Sequence, residues 1–213
     1  MSRCFRLIPA VLLLVALAGT ARAQDTLRVC DTFPRQTFQD ITLDLLVPQF
    51  PYPECTLLDA EVRLTLAIDG AHFGENTGNC IPPGCSYRDT TWIDVALNDL
   101  DGDPLDASSV FTAQGLLSGY DGVFDFGGTS GFTTPFAWTP FNGFLLSYPN
   151  LDYFDNPVAF SIDGTAFSKL ISPGNGSFGV RTYVQASLCA TYVYACVVPV
   201  QSTTWGSIKA LLR

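Results

Sequence analysis

Apolar and polar residues alternate along most of this chain. From 56 to 69, Leu58, Ala60, Val62, Leu64, Leu66 and Ile68 alternate with Asp59, Glu61, Arg63, Thr65, Ala67 and Asp69. Successive side chains of an extended backbone point to opposite sides, so a period of two over that length predicts a strand with one buried and one solvated face. A second run, 38–47, places Ile41, Leu43, Leu45 and Val47 on one side and stops at Pro48. The same reasoning predicts strands over 26–31, 87–97 with Ile93, Val95 and Leu97 inward, 108–117, 157–163 with Val158, Phe160 and Ile162 inward, and 165–171. The longest runs from Phe178 through Val184, Ala186 and Leu188 to Tyr194. Asp69-Gly70, Asn79 to Gly84, Asp101-Gly102, Asp163-Gly164 and Pro173 to Gly176 read as turns between them. Many short strands without a helical stretch predict an all-β, antiparallel, jelly-roll-like β-sandwich.

Residues 118–150 break this pattern, crowding glycine and proline with Phe124, Phe126, Phe132, Phe136, Trp138, Phe141, Phe144 and Tyr148. They read as long loops. Their rings either form a platform that stacks on sugar or plug the open ends of the sandwich, since each ring buries a large area. Trp92 points away from Ile93 and Val95 in its strand, which makes it a candidate surface aromatic for a glycan, with Trp138 beside it as a second candidate.

The N-terminus carries a different signal. Arg3 and Arg6 precede an apolar run from Leu7 to Ala18, and Ala21-Arg22-Ala23 is an A-x-A cleavage site, so residues 1–23 read as a signal peptide. Cleavage leaves a domain over 24–198 and a C-terminal tail over 199–213. No second long apolar segment follows, which argues against a membrane span. Three of the eleven basic residues leave with the leader and none of the twenty acids does, so the formal charge becomes 8 − 20 = −12. That balance repels phosphate backbones and excludes nucleic acid as a partner.

Export also decides how the cysteines are read. Cys30, Cys55, Cys80, Cys85, Cys189 and Cys196 remain, an even number in an oxidising compartment, which predicts three disulfides. Cys80 and Cys85 bracket Pro82-Pro83-Gly84 and are expected to pair. Cys189 and Cys196 are too far apart along an extended strand to bond each other, so Cys30 and Cys55 are expected to reach them, in either pairing. A zinc site needs C-x-x-C pairs or several histidines, and neither occurs.

Candidate chemistry is sparse. Asp99, Asp101 and Asp103 form a concentrated oxygen-ligand cluster that suits Ca²⁺, but Pro104 stands where an EF-hand requires glycine, and a plain Asx/Gly turn is the blander reading that the residues favour. His72, the only histidine, lacks a nucleophile motif and reads as a solvated residue at a strand end. Asp94, Glu61 and Glu75 read as acids on or near solvated strand faces rather than a hydrolytic pair. No cofactor other than possible calcium is expected.

Two segments resemble a known family. Val47-Pro48-Gln49-Phe50, Leu57-Leu58 leading into Val62-Arg63-Leu64-Thr65-Leu66, and Glu75-Asn76-Thr77 are similar to the opening of the choice-of-anchor E domain. Gly176-Ser177-Phe178-Gly179 to Ala190-Thr191-Tyr192-Val193-Tyr194 resembles its closing strands. The resemblance spans about 36–196. Pro51 to Cys55 replaces the family's glycine-containing turn, and the six cysteines are not a family feature. It implies an exported bacterial protein of the cell surface or extracellular space, with a β domain and a variable sorting tail, and no catalytic residues. The tail here, with Trp205, Gly206, Lys209 and Arg213, is similar to Thr-Trp-Gly-x-[Ile/Val]-Lys tails of secreted bacterial proteins. It reads either as a tag for export or sorting machinery or as a docked terminal helix. The expectation is a non-enzymatic structural or adhesion-type protein whose partner is a cell-envelope or extracellular-matrix component. A lectin-like carbohydrate-binding module is the alternative, and a glycan-acting hydrolase the third reading.

Overall fold

The computed structural model describes residues 22–80, 84–98, 105–147, 150–172 and 175–197. The leader up to residue 21, the Asp99, Asp101 and Asp103 cluster, and the tail with Trp205, Gly206, Lys209 and Arg213 lie outside the described residues.

Eight strands form two four-stranded antiparallel sheets. They are β1 (Arg22–Thr37), β2 (Asp40–Val47), β3 (Cys55–Asn76), β4 (Cys85–Asn98), β5 (Leu105–Leu117), β6 (Gly131–Ser147), β7 (Val158–Ile171) and β8 (Gly176–Val197), with one 3₁₀ turn at Leu151–Asp155. The first sheet has the order β1-β8-β3-β6 and the second β2-β7-β4-β5. The chain therefore crosses between sheets at every connection except β4 to β5, which is a jelly-roll wrap.

The inward rows follow the sequence alternation. Val62, Leu64 and Leu66 of β3 and Ile93 and Leu97 of β4 are fully buried. They meet Leu43 and Leu45 of β2, Phe160 and Ile162 of β7 and Leu188 of β8 in a single core. Burying each such side chain contributes roughly 1.5–3 kcal/mol, so this two-sided row is the dominant stabilising term.

Three features depart from the sequence reading. The alternation of β3 slips at a bulge between Leu57 and Asp59. Leu57 packs on the core and Leu58 is left 45% exposed. Asp69-Gly70 and Asp163-Gly164 are not turns but lie within β3 and β7. A Cβ on Gly164 would come within 2.6 Å of the Phe38 ring, and one on Gly70 within 2.5 Å of Phe136. These glycines let an aromatic ring lie across a strand, the close-approach role rather than the turn role. Finally, residues 131–147, read as loop, form β6 along the outer side of β3. Tolerance of Pro135 and Pro140 follows from its position as an edge strand, where one side of the backbone needs no ladder partner.

Two disulfides cross-link neighbouring strands of the first sheet, and the third is local. Cys30 bonds Cys189, joining β1 to β8, and Cys55 bonds Cys196, joining β3 to β8. Cys80 bonds Cys85 at the entry to β4. The two long-range bridges span 159 and 141 residues, and restricting loops that long contributes roughly 4–5 kcal/mol each in the chain-entropy account.

Tyr192 anchors the closed end beneath the β2–β3 connection. Its ring is fully buried between Phe50 and Phe154, and its hydroxyl donates to the Pro48 carbonyl at 2.6 Å. Burial pushes the phenol up to about 12. In the unfolded chain the same group ionises near pH ~10. Its contribution to stability is therefore complete below that value and is lost as pH rises through about 12. Tyr192→Phe is expected to lower stability by about 1 kcal/mol at neutral pH and to flatten the alkaline fall of the urea midpoint. A slope equal to that of the parent chain would contradict this assignment.

Candidate functional site

Among the described residues, the solvent face of the second sheet carries the arrangement of side chains that best suits a ligand. Strand alternation turns Trp92 outward between the buried Thr91 and Ile93, and register places it beside Val110 of β5 and Phe167 of β7. Trp92 and Phe167 stack with centroids 5.0 Å apart and planes 11° apart. Val110 and Phe167 are each 56% exposed. This stacked, outward-facing aromatic pair lies outside the core supplied by the inner face of the sheet.

The next outward row on the same strands is Asp94 with Ser108 and Thr165, and the one after it is Ala96 with Asp106 and Asp163. Together they line a groove of about 470 Å³. Small Ala96 forms its floor between the carboxylates, since a larger residue on the central strand would fill it. Asp163 is oriented by the Thr42 hydroxyl at 2.6 Å and the Asn98 amide at 3.1 Å, both donating to it. Among the described residues no cation pairs with Asp94, Asp106 or Asp163. No group of three metal-ligating side chains occurs among the described residues either. What the face offers is carboxylate and hydroxyl acceptors, held at strand spacing beside a stacked aromatic pair, a combination that fits a polyhydroxylated ligand.

The sequence candidates separate when placed on this frame. Trp92 lies on the solvent face. Trp138, the other candidate aromatic, packs against the core from β6. Phe132 stacks on Tyr87 at 4.0 Å and Phe136 on Phe111 at 4.6 Å, closing the gap between the sheets. That is the plugging role rather than a platform. Asp94 is solvated as expected and borders the groove. Glu61 pairs with Arg63 on the outer side of the first sheet.

Two further expectations fail for a shared reason. The sequence reads His72 and Glu75 as solvated because Asp69-Gly70 suggests the end of β3, yet the strand continues to Asn76 between β6 and β8. His72 is 1% exposed, and its Nδ1 lies 3.0 Å from Oδ2 of Asp89, which is equally buried, linking the two sheets. The approach is outside hydrogen-bond geometry, and Nε2 of His72, Oδ1 of Asp89 and Oγ1 of Thr91 are also buried without a hydrogen-bond partner. Glu75 is fully buried. It accepts from the Ser130 hydroxyl at 2.6 Å and from the Phe126 amide at 2.8 Å. Asn76 donates to the carbonyls of Ser118 and Gly78. The connection from β5 to β6 is thus pinned on the end of β3. Phe126 adopts φ 58°, a costly left-handed conformation for a large side chain, and the Glu75 contact to its amide helps hold it there. The tip of that connection leaves Tyr120, Val123 and Phe124 exposed.

Comparison with known proteins adds little to this geometry. No protein-family model and no curated protein matches the chain. Among solved structures, a Desmodium yellow mottle tymovirus chain is similar at 8% identity, with 96% of this chain and 100% of that chain covered and a TM-score of 0.25. A chain from infectious bursal disease virus, Gx strain, is similar at 12% identity, with 84% and 37% covered and a TM-score of 0.16. Likeness at this level carries no functional argument. No helix among the described residues is long and apolar enough to cross a membrane.

Glu75→Ala removes the acceptor for both the Ser130 hydroxyl and the Phe126 amide. It is expected to lower stability by about 2–3 kcal/mol and to speed amide exchange across 118–130 while leaving β7 and β8 protected. Uniform exchange across all strands, or no change in 118–130, would show that Glu75 does not hold that connection.

Proposed function

We propose that this chain is an exported, non-enzymatic protein of the cell surface or extracellular space that binds glycan on the solvent face of its second sheet. The observation that carries the reading is the outward-facing stack of half-buried Trp92 on exposed Phe167 at the rim of the Asp94, Asp106 and Asp163 groove. A sugar ring presents an apolar face to an aromatic side chain and a ring of hydroxyls that donate to carboxylates, and this surface offers both partners side by side. The A-x-A leader, the disulfides and the similarity of the 36–196 region to the choice-of-anchor E domain support export and a surface or matrix setting.

Binding rather than hydrolysis is proposed because the carboxylates stand on an open sheet face. A glycosidase needs one carboxyl kept protonated by a desolvated setting across an enclosed cleft from the second. The tail beyond Val200 is proposed to be read by sorting or attachment machinery, independently of the glycan face. Its test is separate: a chain truncated at Val200 is expected to change its distribution between cell envelope and medium.

Glycan-array screening of the purified chain is expected to give defined hits. Trp92→Ala should lower affinity for them by about tenfold, the ~1.4 kcal/mol of one lost stacking contact, and Asp94→Asn should weaken them without unfolding the domain. Absence of any hit, or hits indifferent to both substitutions, would leave a purely structural role. Release of reducing sugar would instead support the hydrolase reading.

A further inference from the structure

A jelly roll of two four-stranded sheets has four edge strands, and three of these are protected. In β1, Pro34 sits at a register break between Phe33 and Gln36. β2 is only eight residues long and carries Asp40 and Asp44. β6 carries Pro135 and Pro140. Short length, proline, bulges and charge are the devices that stop an edge from pairing with another chain.

The fourth edge, β5, has only one of them, the charge of Asp106 at its second residue. It runs thirteen residues from Leu105 to Leu117 without proline or register break, and from Ala107 to Leu117 it contains no charged residue. Among the described residues it pairs with β4 alone, so one side of its backbone has no ladder partner. Val110 and Leu116 project from it at 56% and 60% exposure. For a chain of formal charge −12 after export, the uncharged 107–117 stretch of this edge is where two copies approach with least repulsion.

We propose that two copies of this chain pair antiparallel through β5 about a two-fold axis at Val110, joining their second sheets into one continuous eight-stranded sheet. Charge distribution on the outer face supports a second copy as the occupant. The rows beyond Trp92 toward the β5 C-terminus carry Lys169 and Arg88, and the rows toward its N-terminus carry Asp94 and Asp106. A two-fold axis across the strands sets the basic end of one copy against the acidic end of the other. With the axis at Val110, Gln114 faces Asp106 of the second copy. Arg88 is the β4 partner of Gln114, so it stands two strand spacings from that carboxylate, about 10 Å between backbones. An extended arginine side chain spans that gap, and symmetry makes the pair twice. The interaction is independent of the glycan reading, although it would bring two Trp92 platforms onto one surface.

Sedimentation of the purified chain over the micromolar range tests the proposal. The expected result is a monomer–dimer equilibrium in which Arg88→Asp and Asp106→Arg each raise the dissociation constant by about tenfold. The double variant, in which both pairs are reversed, should recover the parent value. Amides within 107–115 should exchange more slowly as concentration rises. Near-UV circular dichroism checks folding, and should a charge variant misfold, Val110→Lys at the exposed centre of the edge must abolish the dimer instead. A monomer at every concentration, a dimer untouched by these substitutions, or a double variant no better than either single one overturns the proposal.

Discussion

The structure depends on the contact between two apolar sheet faces. Val62, Leu64, Leu66 and Ile68 on β3 sit at the middle of the first sheet and face Ile93, Val95 and Leu97 on β4 and Phe160 and Ile162 on β7, all nearly or completely out of water. Because side chains alternate along a strand, this single contact determines which residues must point to solvent on each layer. A one-residue slip would exchange the two sets, so the hydrophobic contact enforces register as well as cohesion. The bulge at Leu57 shows the same constraint locally: it absorbs a break in alternation so that the remainder of β3 keeps its apolar side inward.

Polar groups gather where that contact thins. At the end of β3 the core gives way to His72 facing Asp89 and to Glu75 and Asn76 receiving the connection between β5 and β6. Burial of a carboxylate is costly unless donors surround it, and Glu75 meets this condition with a hydroxyl and a backbone amide. The aromatic pairs Phe132–Tyr87 and Phe136–Phe111 then fill the space between sheets that aliphatic side chains no longer reach. The result is an end closed by specific contacts, which allows the connection beyond it to take a conformation that Phe126 would not adopt unaided.

The outer face of the second sheet is the counterpart of the core. Its residues do not pack into the core and contact one another across neighbouring strands instead. A stacked Trp92 and Phe167, a row of hydroxyls, and three aspartates without cationic partners among the described residues come together only because β4, β5 and β7 are aligned in one register. Among the described residues the same alignment leaves β5 as the least protected edge, adjoining the groove through Asp106 and Ser108. Ligand surface and edge are therefore two consequences of one strand order.

Period-two alternation by itself determined the β class, the inward rows of β2, β3, β4, β7 and β8, and the outward direction of Trp92, because alternation is a local property of an extended backbone. Cysteine spacing likewise determined that Cys80 pairs with Cys85 and that Cys30 and Cys55 reach the last strand. Which of these two bonds Cys189 was decided only by placing β1 and β3 on opposite sides of β8. The tertiary structure also decided that Gly70 and Gly164 lie under rings rather than in turns. It decided that β6 is a strand despite its prolines, that Trp138 faces the core, and that His72 and Glu75 are buried. In each case the deciding contact comes from residues distant in sequence, Phe136 over Gly70 or Ser130 on Glu75. The groove of Asp94, Asp106 and Asp163 belongs to the same class, since its three carboxylates lie on three strands that only the jelly-roll order makes neighbours.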